Sequence, residues 1–115
     1  MAGKYNASKI VIDGQKFDSK AEYKRWVQLN SLLAAGKITD LRRQVVFELV
    51  PTQRVGGHVV ERSVNYVADF VYLTPEGRMV VEDTKSPATK TPEYVIKRKL
   101  MLWVHGVSIR EVMSR

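Results

Sequence analysis

The order of helical and strand-like segments limits the fold more than any other feature of the sequence. Ser19 followed by Glu22 forms a helix-capping pattern, and apolar residues then repeat at helical spacing, which predicts a first helix over about Lys20–Ala35. Thr91, followed by proline and glutamate, opens a second helical pattern that extends to about His105. A glycine follows each pattern and supplies its stop. The sequence therefore predicts two helices with a long segment between them.

Strand-like segments fill most of the remaining chain. Leu41–Leu49 is rich in apolar and β-branched residues; Val64–Leu73 and Arg78–Asp83 flank a short turn and are expected to form an antiparallel hairpin. Pro51–Arg62 contains two consecutive glycines and is expected to be a loop or a loosely paired hairpin. Val107–Val112 is a final strand. The order α-β-β-β-α-β predicts a single α/β domain without repeats or linkers.

Side-chain alternation in Val64–Leu73 predicts which of its residues share a face of the strand. One face of this strand carries Val64, Tyr66, Ala68, Phe70 and Tyr72. Asp69 lies on the other face, between apolar neighbours. The second helix carries an apolar stripe made of Ile96, Leu100, Trp103 and Val104. Trp26 and Trp103, both at helical spacing, are expected to be core residues.

The charge of the chain indicates a polyanionic partner. Its 115 residues include 19 lysines and arginines against 12 aspartates and glutamates, a formal charge of +7. An excess of this size attracts nucleic acid first and anionic membranes second. No apolar run approaches the ~20 residues that span a bilayer, and the first residues lack the apolar core of a signal peptide. We therefore expect a protein that binds nucleic acid and does not associate with membranes.

The types of ligand in the chain restrict the metals that it can bind. There is no cysteine, and the two histidines, His58 and His105, are far apart in sequence. Disulfides, thiolate catalysis and sulfur-ligated zinc are therefore excluded, and a histidine-rich zinc site is disfavoured. A bound metal would be a hard cation with oxygen ligands, Mg²⁺ or Mn²⁺.

A small set of residues has the chemistry for phosphodiester hydrolysis. Asp69 lies in a strand, Asp83 and Lys85 lie at the end of the next strand, and Glu22 lies in the first turn of the first helix. Hydrolysis requires a hard cation at the phosphate, a deprotonated water and a stabilised leaving oxyanion. Two carboxylates on neighbouring strands suit Mg²⁺, and the Thr84 carbonyl is a candidate third ligand. Lys85 is expected on the same sheet face as Asp83, where it orients the water or stabilises the transition state.

The ordered set of these motifs resembles the PD-(D/E)xK nuclease superfamily. Glu22 lies in FDSKAEYKRW, Asp69 in YVADFVY, and Asp83 with Lys85 in VVEDTKS; the segments LRRQVVFEL, TPEYVIKRKLM and GVSIREV complete the pattern. More narrowly, it resembles small phage and prophage nucleases grouped with Holliday-junction-resolvase-like proteins, although Ala68 stands where the superfamily has its name-giving proline. The resemblance implies a restriction-endonuclease-like αβββαβ core, with a central mixed sheet flanked by helices, over residues 17–115. Residues 1–16 would form an N-terminal arm or short strand.

The resemblance also implies an activity and partners. The protein would be an endodeoxyribonuclease, dependent on Mg²⁺ or Mn²⁺, that cuts branched DNA such as Holliday junctions in phage recombination or replication. It would act as a homodimer in the cytoplasm of a bacterial host, without a small-molecule cofactor. Glu22 would be a direct or water-mediated metal ligand. Lys97 would be a further catalytic and DNA-binding residue, with Tyr94 as a weaker candidate, and Ser19 and Lys20 would contact the phosphate.

Several of these residues have simpler alternative roles. Glu22 at the third helical position completes a capping box without any catalytic function. Asp69 is suited to capping a turn or to pairing with Arg78 across the hairpin. Glu82 precedes Asp83, which leaves open which of the two carboxylates faces the metal, although strand alternation favours Asp83.

Basic residues outside the motifs form either solvated surfaces or contacts to DNA phosphates. The candidates for phosphate contact are Arg42, Arg43, Lys90 and Lys97. Two other functions remain open: a non-catalytic basic nucleic-acid-binding module on the same fold, and a site-specific restriction-type nuclease. Asp69 and Asp83 disfavour the first, because carboxylates repel phosphate unless a cation intervenes. The second is disfavoured because no large recognition insertion is visible.

Overall fold

The computed structural model describes residues 9–113 of the chain. In chain order, its elements are β1 (Ile10–Ile12), β2 (Gln15–Phe17), α1 (Lys20–Ala34), β3 (Thr39–Val50), β4 (Gln53–Val55), β5 (His58–Glu61), β6 (Val64–Leu73), β7 (Met79–Lys85), α2 (Pro92–His105) and β8 (Arg110–Met113). Of the arm predicted over residues 1–16, residues 1–8 lie outside the described part. The remainder forms β1 and the start of β2, which pair as a hairpin.

Four strands form a central sheet, in the order β3-β6-β7-β8. β3, β6 and β7 pair antiparallel, whereas β8 pairs parallel with β7. The parallel pair requires a crossover connection, which α2 provides. The prediction of an α/β fold with a central mixed sheet and two helices is therefore confirmed. The last strand begins later than predicted, at Arg110 instead of Val107.

Both helices begin at the predicted capping residues. The Ser19 hydroxyl accepts the Glu22 N–H at 3.1 Å, and the Thr91 hydroxyl accepts the Tyr94 N–H at 3.2 Å. Gly106 ends α2 with a left-handed φ of 69°, which glycine adopts without steric cost. Local capping chemistry therefore fixes the helix boundaries close to where the sequence predicts them.

The core consists of two clusters that divide β6 between them. Phe70 and Tyr72 pack with Leu29 of α1, whereas Tyr66 and Ala68 belong to the cluster under α2. The prediction that these β6 side chains share one face is therefore wrong. The change occurs at Asp69, which lies level with Gln44 of β3, between the pairs Arg43–Phe70 and Val45–Ala68. Gln44 has a φ of 53°, so the backbone of β3 is irregular at this point.

The two tryptophans differ in their surroundings. Trp26 stacks on Phe70 with ring centroids 6.0 Å apart, as expected for a core residue. Trp103 is 85% exposed, and Ile96 and Val104 of the same predicted stripe are also exposed, so this part of the core prediction is wrong. α2 instead buries Tyr94 and Met101. Of the predicted stripe, only Leu100 packs against the core. The buried face is therefore centred on Tyr94 and Met101, rotated from the face that the sequence predicts.

The segment predicted as a loop or loosely paired hairpin is a two-stranded hairpin. β4 and β5 pair with each other and with no strand of the central sheet, and all their residues are exposed. Within residues 9–113, no helix is long and apolar enough to cross a membrane. Because the β4–β5 hairpin is separate from the central sheet, the sheet and the two helices position the candidate site.

Candidate active site

The predicted acids Asp69 and Asp83 meet where the pairing of β6 and β7 ends. The register of these strands runs from Leu73–Met79 to Phe70–Glu82, so Asp69 and Asp83 come next along the two strands. There the Asp69 Oδ2 atom accepts the backbone N–H of Thr84 at 2.8 Å. The side chain of Asp69 thus accepts a hydrogen bond from a backbone N–H at the end of the β6–β7 pairing. This hydrogen bond holds the carboxylate beside β7.

Burial and proximity act together on this acid pair. Asp83 is only 4% exposed. The pKa of Asp69 is raised to about 8, first by burial, then by the negative charge of Asp83 and by a hydrogen bond between the two carboxyls; the Thr84 N–H acts in the opposite direction. Two neighbouring carboxyls, one buried and one half-buried, are a favourable environment for a hard divalent cation, which would offset their negative charge.

Lys85 supplies a positive charge on the same side of β7 as Asp83. Its Nζ atom lies 3.0 Å from the Asp83 Oδ2 atom and 4.0 Å from the centroid of the Tyr94 ring. The predicted placement of Asp83 and Lys85 on one sheet face is what two-residue spacing in a strand produces. The ammonium group is therefore held between an acid of the pair and the N-terminal part of α2.

A cleft of about 400 Å³ joins these residues to α2. Lys97 lines it from the helix, and its Nζ atom lies 3.3 Å from a Glu93 carboxylate oxygen. The Tyr66 hydroxyl is buried there without a hydrogen bond of standard geometry. Burial and the nearby charge of Asp83 raise the pKa of Tyr66, so the phenol stays protonated. The cleft thus brings the acid pair together with two ammonium groups and the neutral Tyr66 phenol, and Asp18, Glu93 and Tyr94 line it as well.

Glu22 lies behind the acid pair and is almost fully buried, at 2% exposure. Its Oε1 atom accepts the Asp18 N–H at 2.7 Å, and its Oε2 atom accepts the Gln44 side-chain N–H at 3.0 Å. Burial is the main cause of its raised pKa, and the charge of Asp83 contributes. Glu22 therefore does cap the helix entrance, through Asp18 and not through Ser19 as a standard capping box would. It is also close enough to the pair to interact with it electrostatically.

The three acids do not form a compact metal cage. Among residues 9–113, no three acidic or histidine side chains converge closely enough to hold one ion by themselves. Asp69 and Asp83 are the close pair, whereas both oxygens of Glu22 are committed to protein donors. A metal at this site would thus be held first by the pair, with water completing its coordination, as Mg²⁺ favours.

A family model matches residues 2–110 of the chain. The chain belongs to DUF1064. That family is described as proteins of unknown function, so membership assigns no activity. No curated protein and no solved structure matches this DUF1064 chain. Its function is therefore inferred from its own residues.

The neighbouring acid Glu82 of the DUF1064 chain faces away from the cleft. It is fully buried, and its two oxygens accept hydrogen bonds from the Arg25 guanidinium at 2.8 and 2.7 Å. The Tyr72 hydroxyl donates to the same carboxylate. Because successive strand residues alternate, Asp83 is left as the acid that faces Asp69. Asp83, and not Glu82, therefore faces the cleft that holds Asp69, as strand alternation predicts.

Most of the predicted phosphate contacts lie outside this cleft. Ser19 caps α1, and Arg42 is paired with Asp40 at 3.6 Å on the surface. Lys90 lies 2.9 Å from a Glu111 carboxylate oxygen near the start of α2. Lys20 lies in a different cleft, on the other side of β7. Of these candidates, only Lys97 is brought together with the acid pair.

The guanidinium of Arg43 makes its contacts with other residues of the protein. Its guanidinium lies 4.0 Å from the centroid of the Phe17 ring, donates to the Lys16 carbonyl at 2.7 Å, and lies 3.9 Å from a Glu22 oxygen. It therefore supports the Glu22 carboxylate, and its predicted contact with DNA stays a prediction. The alternative pairing of Asp69 with Arg78 is absent from the described residues, because the carboxylate of Asp69 faces Thr84 and Asp83.

Sequence reasoning missed two residues of the site, Gln44 and Tyr66. Gln44 lies in a strand-like segment whose residue types give no sign of a left-handed backbone. Tyr66 reads as one more apolar residue of an alternating strand. Neither residue type signals catalytic chemistry, and both matter only because the fold places them beside Glu22 and Asp83.

Proposed function

We propose that this protein is a metal-dependent nuclease that hydrolyses phosphodiester bonds of DNA. The observation that carries the proposal is the Asp69–Asp83 pair, in which Asp83 is buried and Asp69 is half-buried, with the ammonium group of Lys85 3.0 Å from Asp83. The pair opens into a cleft of a chain whose formal charge is +7. A pure binding module gains nothing from two carboxyls beside a bound phosphate, because they repel it.

The topology supports the same proposal. With the two hairpins set aside, the element order is α-β-β-β-α-β, around a sheet in which β8 alone is parallel to its neighbour. The PD-(D/E)xK resemblance implies a core of this order, with acids on the second and third strands and a lysine two residues after the second acid. Asp69, Asp83 and Lys85 occupy those positions. A restriction-endonuclease-like core is therefore part of the proposal.

The donor set fits Mg²⁺ or Mn²⁺, because it consists of carboxyls without sulfur or histidine. When bound, such an ion would neutralise phosphate charge and lower the pKa of a coordinated water. Asp69 and Asp83 would hold it, with the Thr84 carbonyl as a further ligand and Glu22 as an outer or water-mediated one. Lys85 keeps a positive charge beside Asp83 that stabilises charge developing on phosphate oxygens. Lys97 provides a second ammonium at the α2 wall of the cleft.

The proposed substrate is branched DNA, and the proposed assembly is a homodimer. Both follow from the resemblance to junction-resolving phage nucleases, since two symmetric cuts require two sites. In a bacterial host the enzyme would act in the cytoplasm, in recombination or replication. A shallow cleft on a small basic domain is compatible with a large polymer substrate.

Cleavage assays with matched variants test this function. A labelled four-way DNA junction and a linear duplex of the same sequence are incubated with Mg²⁺, Mn²⁺ or EDTA. The wild type should cut only with a divalent metal and should favour the junction, and Asp83→Asn should be inactive. Glu76→Gln, in the exposed turn between β6 and β7, is the charge-matched control and should cut normally.

The other outcomes separate the alternative functions. Cutting of the duplex at one fixed sequence would favour a restriction-type nuclease. Tight binding of both DNAs without cleavage under either metal would contradict the nuclease proposal and favour a non-catalytic binding module.

A further inference from the structure

A second cleft lies at the same end of the sheet as the acid pair, beside the N-terminal half of α1. It has a volume of about 420 Å³ and lies between α1 and the C-terminal ends of β7 and β8. Its polar lining consists of Lys20, Lys24, Arg25, Gln28 and Thr84. Because Arg25 contacts Glu82, and Glu82 and Asp83 point to opposite sides of β7, the second cleft lies across the strand from the acid pair.

The charges of this cleft are positive. Lys20, Lys24 and Arg25 line it, and no acidic side chain does. Within residues 9–113, neither Lys20 nor Lys24 forms an ion pair, and both are exposed. Three basic groups in one concave site, with few local counter-charges, attract an anion. The first turn of α1 adds the partial positive charge of a helix N-terminus.

Arg25 is held in a fixed orientation at the wall of the cleft. Two of its nitrogens donate to the fully buried Glu82 carboxylate, and its third, Nη1, donates to the Gln28 side chain at 3.1 Å. This arrangement neutralises part of the charge of Arg25 and leaves Lys20 and Lys24 as the uncompensated cations of the cleft. The cleft therefore has one hydrogen-bonded guanidinium at its wall and two exposed ammonium groups, a suitable combination for binding a phosphate.

Thr84 contributes an unused hydroxyl. Its Oγ1 atom is buried and makes no hydrogen bond within the described residues. Buried hydroxyls ordinarily have a partner, so this one indicates a missing acceptor or donor. The backbone N–H of the same residue donates to Asp69 on the acid side. Thr84 therefore connects the two clefts through one residue of β7.

We propose that the cleft formed by Lys20, Lys24, Arg25, Gln28 and Thr84 binds a phosphate group of a nucleic-acid strand that also occupies the acid-pair cleft. The identity of the polymer rests on the proposed function; the phosphate chemistry rests on the cleft itself. Asp83 lines the acid-pair cleft and Thr84, the next residue of β7, lines the second cleft. A nucleic-acid strand that crosses the C-terminal end of β7 would therefore contact both clefts. The second cleft thus holds the strand next to the reacting phosphate and fixes its register.

The salt dependence of DNA binding tests this site. All proteins carry Asp83→Asn, so that the DNA stays intact. Lys20→Gln/Lys24→Gln should bind a labelled duplex about tenfold more weakly, and its plot of log affinity against log salt concentration should be less steep by about one unit. Arg25 is left unchanged, because its removal would take two guanidinium hydrogen bonds away from the fully buried Glu82 carboxylate.

A control with the same loss of charge makes the result specific. Lys37→Gln/Arg78→Gln removes two exposed cations, one after the C-terminal end of α1 and one in the turn before β7. These positions lie at the ends of α1 and β7 opposite to the cleft. If this control and Lys20→Gln/Lys24→Gln lose the same affinity and slope, the effect is one of net charge and the proposal is wrong.

Nuclear magnetic resonance of Thr84 identifies the source of the phosphate. A saturable shift of its amide and methyl signals with inorganic phosphate would mean that the cleft binds phosphate as such. A shift only with an oligonucleotide would mean that it requires the polymer. Either shift should vanish in Lys20→Gln/Lys24→Gln, and the absence of both shifts in the parent protein would overturn the proposal.

These results are separable from failure of the nuclease proposal. If the native chain cuts DNA but the Lys20 and Lys24 substitutions behave like the control, only the second site is wrong. If the native chain never cuts DNA but the substitutions reduce the salt slope, the nuclease proposal fails and the phosphate site stands.

Discussion

The Gln44 side chain donates a hydrogen bond to the Glu22 Oε2 atom at 3.0 Å, from a backbone with a φ of 53°. A left-handed conformation at a residue other than glycine costs about 1–2 kcal/mol. Such strain persists where the surrounding structure requires it, often at functional sites. Here the irregularity coincides with the point where β6 changes from one core cluster to the other, level with Asp69.

The strain at Gln44 predicts an unusual order of stability between two substitutions. Gln44→Ala and Gln44→Gly both remove the hydrogen bond to Glu22, but only glycine adopts the positive φ without steric cost. We expect Gln44→Gly to be more stable than Gln44→Ala by about 1 kcal/mol in urea unfolding.

Val46 in the same strand supplies the control. It is exposed and lacks a positive φ. There the order should be reversed, with Val46→Ala more stable than Val46→Gly by about 0.5–1 kcal/mol. If alanine is the more stable substitution at both Gln44 and Val46, the backbone at Gln44 is unstrained.

The raised pKa of Asp69 predicts how stability depends on pH without divalent metal. Its carboxyl keeps a proton in the folded chain up to a pKa of about 8, against an ordinary value of 3.8. The unfolded chain releases that proton at lower pH, so the free energy of unfolding contributed by Asp69 falls as pH rises through this window. Urea unfolding in EDTA should show wild type losing at least about 1 kcal/mol more than Asp69→Asn between about pH 5 and about pH 9.

A matched substitution checks that the pH effect belongs to the Asp69–Asp83 pair. Asp13→Asn makes the same chemical change at an exposed turn residue. It should leave the slope of the wild type unaltered. If Asp69→Asn and wild type have the same pH dependence, the acids do not interact as their geometry indicates.

Divalent cations should stabilise the folded chain through the same pair. A ligand that binds only the folded state at about 100 times its Kd adds about 2.7 kcal/mol to the free energy of unfolding. We therefore expect Mn²⁺ to raise the Tm of the wild type and of Glu76→Gln. Asp69→Asn and Asp83→Asn should lose most of this increase. An equal increase in all four proteins would place the cation elsewhere.

Local patterns in the sequence predicted the elements, whereas the arrangement between elements had to come from the structure. Ser19 and Thr91 act on donors within their own helix turn, so capping is readable from neighbouring residues. Asp83 and Lys85 share a face for the equally local reason of strand alternation. Trp103 failed as a core prediction because helical spacing defines a face without saying which side of the helix the sheet covers.

The same distinction applies to the candidate site. The proximity of Asp69 and Asp83 could be predicted from the sequence, because the two residues lie on adjacent strands of a hairpin. The hydrogen bonds of Glu22 with Asp18 and Gln44 could not be predicted, because those contacts depend on how α1 is placed against β3. The division of β6 between two core clusters likewise coincides with a backbone irregularity at Gln44, which the residue types of β3 do not predict.

The adjacent acids Glu82 and Asp83 should respond to substitution in opposite ways. Glu82 is fully buried and bonded to Arg25 through both oxygens, so Glu82→Gln leaves the Arg25 charge poorly compensated and should cost about 2 kcal/mol or more. Asp83→Asn loses the ion pair with Lys85 but removes the negative charge that opposes ionisation of Asp69, and its stability should change by less than about 1 kcal/mol.

Activity should show the reverse order. At a temperature where both variants are folded, Glu82→Gln should retain most DNA cleavage and Asp83→Asn should retain none, since only Asp83 faces the cleft. Urea unfolding and cleavage measured on the same two proteins give the comparison. If Glu82→Gln abolished cleavage while Asp83→Asn spared it, the metal would lie on the α1 side of β7, and the site would have to be rebuilt around Glu82 and Arg25.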